Sequence, residues 1–110
     1  MGRKFNKPSK DGNHKDIVQA YRKVGAFVLD ITAVKDAFDI IVFYKGQTYV
    51  VEIKNPEKLP KEYDRERMEK DLTSGERECM EAVQRQGINY YIVATLDEAM
   101  QVLGLGIKKD

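Results

Sequence analysis

The chain predicts an α/β domain: a mixed four-stranded sheet flanked by helices, with one more helix at the C-terminal end. Three observations lead there. Four stretches rich in Ile, Val, Phe and Tyr alternate with helical patterns in the order α-β-β-β-α-β-α. Two of these stretches, about 38–44 and 48–54, flank Lys45-Gly46, where Gly can supply the positive φ of a tight hairpin turn. The last strand follows its predecessor through a helix, and such a crossover joins parallel strands.

The elements follow in order. Asn13 reads as an N-cap with Asp16 at N3, a capping-box-like pair. Ile17, Val18, Tyr21 and Val24 recur at helical spacing and Gly25 supplies the stop, giving a first helix of about 14–24. Ala26–Ile31 is a strand, and the hairpin follows. Residues 55–72 change character: Pro56 and Pro60 precede five basic and six acidic residues over 57–71, which reads as a mobile charged excursion with at most a short polar helix. Thr73 and Glu76 form a capping box for a helix whose apolar stripe is Cys79, Met80 and Val83, closed by Gly87. Ile88–Ala94 is the fourth strand. Thr95-Leu-Asp-Glu98 is another capping box, opening a helix that ends at Gly104.

Length and composition bound the function classes. A chain of 110 residues, 42% hydrophobic and 34% charged, describes one soluble globular domain over 11–110. No apolar run approaches the ~20 residues of a membrane span, so no membrane partner is expected. The first residues lack the apolar core of a signal peptide. One Cys and one His provide neither a disulfide nor a zinc cluster, which points to a reducing, intracellular (cytoplasmic) compartment, the host's if the protein is viral. The net charge of +1 does not announce a nucleic-acid binder, but its distribution is uneven. Residues 1–10 form a basic arm in which Arg3, Lys4, Lys7 and Lys10 can neutralise phosphates.

The hairpin carries the chemistry. With Tyr44 opposite Gln47, pairing brings Asp39 opposite Glu52, Cβ atoms roughly 4.5–5.5 Å apart. A three-residue turn with a bulge would instead set Asp39 against Val51. Lys54, two residues beyond Glu52, points to the same side. Two facing like charges destabilise a hairpin by up to about 1 kcal/mol, and a divalent cation between them converts that penalty into a binding site. Charged groups ending such apolar strands lie near buried surface and need partners or a metal.

In these residues, in their order, the chain resembles the PD-(D/E)xK nuclease superfamily, specifically the virus-type replication-repair nuclease domain of phage proteins. Asp39 stands at the Asp of the Pro-Asp pair, with Phe38 in place of the proline, and Glu52-Ile53-Lys54 matches (D/E)xK. Asn13–Val18, Leu72–Glu76 and the final Tyr91–Ala99 are similar to flanking elements, so the resemblance spans about 11–104. It implies a restriction-endonuclease-like αβββαβ core and a DNA endonuclease dependent on Mg²⁺ or Mn²⁺. Asp39, Glu52 and the carbonyl of Ile53 would hold the metal, with Lys54 as the catalytic cation and Asp16 completing the site from the first helix. Glu76 stands where the family usually has Gln. The implied substrate is branched or duplex DNA, a four-way junction first of all, and cutting two strands favours a homodimer, with 57–71 the first place to seek its interface.

Two rivals share the fold: a catalytically inert module that binds DNA or protein, and a nuclease subunit of a larger complex. His14, at N1 of a surface helix, reads as solvent-exposed. Tyr63 could stack on a base, while Tyr90 and Tyr91 belong to the core or sheet face.

Overall fold

The computed structural model describes residues 12–106; the basic arm, with Arg3, Lys4, Lys7 and Lys10, lies outside the described residues. The elements are α1 (Gly12–Lys23), β1 (Phe27–Asp30), β2 (Ile40–Tyr44), β3 (Gln47–Ile53), a 3₁₀ turn at Pro56–Lys58, α2 (Arg65–Glu69), α3 (Ser74–Arg85), β4 (Tyr90–Val93) and α4 (Leu96–Val102). The strands lie in the order β1-β2-β3-β4. The first three are antiparallel and β4 runs parallel to β3, so the sheet is mixed, as its sequence predicts.

The hairpin register is the unbulged one. Tyr44 pairs with Gln47 and Ile40 with Val51, with Lys45 at φ 49° and Gly46 at φ 80°. Two successive positive φ values are what a two-residue turn needs to match the twist of its strands. The paired register ends at Ile40–Val51; Asp39, just before β2, donates its N–H to the Val51 carbonyl at 3.2 Å, so it comes against Val51 rather than directly opposite Glu52, which corrects the expected pairing.

Alternation along the strands divides the core into two layers. On one face Ile40, Val42, Val51 and Val93 pack with Ile17, Val18 and Tyr21 of α1 and with Ala99 and Leu103. The Tyr21 hydroxyl donates to the Ala99 carbonyl at 2.8 Å, tying α1 to α4. On the other face Val50, Tyr90 and Ile92 pack with Leu59, Met68, Leu72 and Met80. At about 1.5–3 kcal/mol for each fully buried aliphatic or aromatic side chain, both layers contribute substantially.

The second layer corrects the expectation for residues 55–72. The segment is not a mobile excursion: Leu59, Met68 and Leu72 are buried against β3 and β4. Its charges lie on the outer side, where Arg65–Glu69 (2.7 Å) and Arg67–Asp71 (2.9 Å) pair at i,i+4. Asp64 caps α2 by accepting from the Arg67 N–H. Tyr63 is likewise engaged, donating to Glu98 at 2.6 Å.

The start of α1 is also corrected. The helix begins at Gly12, which places Asn13 inside it rather than at its cap. The Asn13 amide donates to the carbonyls of Lys54 (2.8 Å) and Ala94 (3.1 Å), clamping the ends of the two parallel strands together. One sheet region stays uncovered. Beyond the reach of α2 and α3, Phe27, Leu29 and Phe43 are exposed, with Phe27 and Phe43 in ring contact across the strands at 5.8 Å.

Candidate functional site

The site forms where β3 runs on past the start of β2. Strand alternation turns Glu52 and Lys54 to the face shared with α3, and Asp39, at the entry to β2, reaches the same end of β3 with its side chain. Asp39 Oδ2 accepts from the Ile53 N–H at 2.7 Å, so the two strand ends are joined through the carboxylate itself. The N–H and carbonyl of Ile53 lie on one edge of β3, so the carbonyl also faces the Asp39 side. Asp39, Glu52, Ile53, Phe38 and Glu76 line an opening of about 280 Å³. Roomier hollows of about 450 and 580 Å³ flank α1, but among the described residues each holds a single carboxylate. The chemistry therefore picks out the smaller opening.

Lys54 is held from three directions. Its Nζ lies 3.5 Å from Glu52 Oε2 and 3.8 Å from Glu76 Oε1, and it donates to the Asp71 carbonyl at 3.2 Å. Glu76 is fixed in turn by the capping box of α3, its Oε1 accepting the Thr73 N–H at 3.0 Å while its own N–H donates to Thr73 Oγ1. The loop before Asp39 rests on the first turn of α3. A Cβ on Gly75 would come within 2.3 Å of the Asp36 carboxyl, so this close approach requires glycine.

Burial dominates the electrostatics. Glu52 is 4% exposed, and burial, then repulsion from Asp39 and Glu76, pushes its pKa up to about 8, with Lys54 opposing. Asp39 is also raised, chiefly by burial, against the pull of the Ile53 N–H, His14 and Lys54. Two neighbouring carboxylates whose pKa values are both raised favour positive charge beside them.

The structure brings together Asp39, Glu52, Ile53 and Lys54. It does not bring Asp16. The face of α1 turned to the sheet is His14, Ile17, Val18 and Tyr21, and Asp16 lies on the opposite, exposed side in a groove with Gln19, Lys23 and Leu96. His14 corrects the reading in the other direction. It is buried, 6% exposed, and its Nε2 lies 3.1 Å from Asp30 Oδ2. Asp30 also accepts from Thr32, whose hydroxyl reaches the Asp39 carbonyl at 3.5 Å. The spacing of 14, 17, 18 and 21 carried the signal that His14 belongs to the inward face.

Among the described residues no group of three or more His, Cys, Asp or Glu side chains is arranged to hold a metal ion. The donors that do converge, two carboxylates and a carbonyl, are all oxygen, the set a hard cation takes when it keeps several waters. No described helix is long and apolar enough to cross a membrane. Comparison with family models, with curated proteins and with solved structures found no match for this chain.

Proposed function

We propose that this chain is a divalent-metal-dependent nuclease that hydrolyses DNA phosphodiester bonds, a reading that draws on its resemblance to the PD-(D/E)xK nucleases. The observation that carries it is the convergence of a buried carboxylate, Glu52, and a half-buried one, Asp39, on one strand end beside the tethered ammonium of Lys54. Burying one acid with a second beside it is costly unless a cation compensates them.

Asp39, Glu52 and the Ile53 carbonyl would hold Mg²⁺ or Mn²⁺, which when bound polarises a phosphate oxygen and lowers the pKa of a water. The remaining work falls to the protein's own groups. Lys54, fixed by Glu52, Glu76 and the Asp71 carbonyl, presents a positive charge at the rim of the opening, where negative charge on an attacked phosphate develops. Glu76 is a positioning residue for Lys54 in this scheme.

The proposed substrate is branched DNA, a four-way junction first of all, cut by a two-fold dimer. The 57–71 segment is a poor interface because its apolar residues are already buried in the domain. The exposed Phe27, Leu29 and Phe43 offer the better surface. The 3.5 Å contact of Lys54 with Glu52 favours a second reading, an inert binding module in which that ion pair neutralises the acid without metal.

Labelled four-way junction and matched linear duplex, incubated with Mg²⁺, Mn²⁺ or EDTA, separate these readings. Metal-dependent cutting of the junction that is lost in Lys54→Ala supports the proposal. Equal cutting of both substrates keeps the chemistry and removes the junction preference. Binding without cleavage in either metal supports the inert module.

A further inference from the structure

The hydroxyl of Tyr90 is anomalous. Tyr90 is 2% exposed and its Oη has no hydrogen-bond partner among the described residues, although a buried tyrosine hydroxyl ordinarily finds one. Its surroundings are informative. Tyr90 pairs with Val50 and Ile92 with Glu52 in the parallel register, so Tyr90 lies on the same sheet face as Glu52, one step along the strand. Its ring meets Phe38 edge-on at 6.2 Å, and Phe38 lines the opening that holds Asp39, Glu52 and Glu76. Burial drives the pKa of the hydroxyl upward, and its neighbours Glu52, Cys79, Glu76 and Asp39 add to that. A buried donor thus stands on the same sheet face as Glu52, behind the ring of Phe38 that lines the opening, while Glu52 Oε2 lies 3.5 Å from Lys54.

We infer that Tyr90 is a positioning residue for Glu52, donating its hydroxyl hydrogen to that carboxylate when Glu52 turns from Lys54 to a bound divalent cation. The inference rests on the metal-site reading above and adds a group outside the donor set. A carboxylate that holds a metal is ordinarily oriented by a hydrogen bond from an outer group, and losing that group weakens metal affinity about 10–100-fold. The geometry gives Tyr90 this role with no competing partner to break. The position is also costly without metal, since the hydroxyl is buried and unpaired.

Tyr90→Phe removes only the oxygen and opposes two effects that a structural hydroxyl would not separate. Thermal unfolding of wild type and variant is followed at pH 8 across a titration of Mn²⁺, with EDTA as the blank. The expected result is an EDTA melting temperature in the variant equal to or above wild type, with a Mn²⁺ concentration for half-maximal stabilisation at least tenfold higher. A variant that melts lower in EDTA and keeps the wild-type Mn²⁺ dependence would overturn the inference and make the hydroxyl a structural donor. A wild type whose melting does not respond to Mn²⁺ would overturn the metal-site reading, and the inference with it.

Discussion

Replacing Glu52 with Gln should make the metal-free protein more stable, and increasingly so as pH rises. The side chain is 4% exposed and its pKa stands at about 8 against an ordinary 4.5. The sign follows from linkage. The folded state binds the Glu52 proton more tightly than the unfolded chain, so its contribution is complete below about pH 4.5 and lost as pH rises to about 8. This is the reverse of a carboxylate stabilised by a salt bridge. At about 1.4 kcal/mol per pH unit, the interval sets a ceiling of about 5 kcal/mol on the penalty above pH 8. Gln removes that penalty but also deprives Lys54 of its 3.5 Å partner, leaving Glu76 at 3.8 Å. A net gain of about 1–3 kcal/mol remains, or roughly 5–15 °C in melting temperature for a domain of this size. The assay is thermal unfolding in EDTA from pH 4 to pH 9. The two proteins should melt together near pH 4, diverge through the window, and run parallel above pH 8. A Gln variant less stable than wild type at pH 9 would refute the reasoning, since Glu52 would then be a structural ion-pair acid for Lys54.

Other expectations follow from the same geometry. Lys54→Ala should reduce metal-dependent cleavage by about 10²–10³-fold, the range for one preorganised charge-stabilising group, read by single-turnover gel assay; Asp16→Ala, on the far side of α1, should leave that rate unchanged. Asp39→Ala should destabilise by about 1–3 kcal/mol in urea, because the Ile53 N–H loses its 2.7 Å acceptor, offset in part by relief of charge repulsion at high pH. Asn13→Ala should cost about 1–3 kcal/mol and speed amide exchange where β3 and β4 end, since one amide holds the carbonyls of both Lys54 and Ala94. Met68→Ala should cost about 2–5 kcal/mol by denaturant unfolding if α2 is part of the core as its burial indicates; a cost below 0.5 kcal/mol would return 55–72 to a loosely attached excursion.

How much of this was legible in the residues differs by element. The hairpin register was readable because Gly46 restricts the turn and a two-period pattern leaves few alternatives for pairing. Both Thr-x-x-Glu boxes were readable because the cap is a local interaction, and both form. Residues 55–72 misled because three apolar side chains, Leu59, Met68 and Leu72, are diluted among charges that local i,i+4 pairs stabilise on the outer face. Periodicity over so short a helix gives little sign of which side is inward. Asn13 misled because an N-cap and a tertiary clamp require the same residue type, and the carbonyls it meets come from strands 41 and 81 residues away. Asp16 and His14 exchanged places for a related reason. The phase set by Ile17, Val18 and Tyr21 leaves Asp16 on the solvent side and carries His14, on the inward stripe, to Asp30. Glu52 and Lys54 were visible together because strand alternation alone places them; the reach of Asp39 to the Ile53 N–H and the tethering of Lys54 by Glu76 and the Asp71 carbonyl depended on how the strand entry and α3 dock.

The central claim is that Asp39 and Glu52 share a divalent cation, and anomalous diffraction from crystals soaked in Mn²⁺ above pH 8 tests it most directly. The account predicts one strong peak between the two carboxylates, bordered by the Ile53 carbonyl, with Glu52 drawn away from Lys54. Crystals that show no peak there, with Lys54 still seated against Glu52 at saturating Mn²⁺, would contradict it.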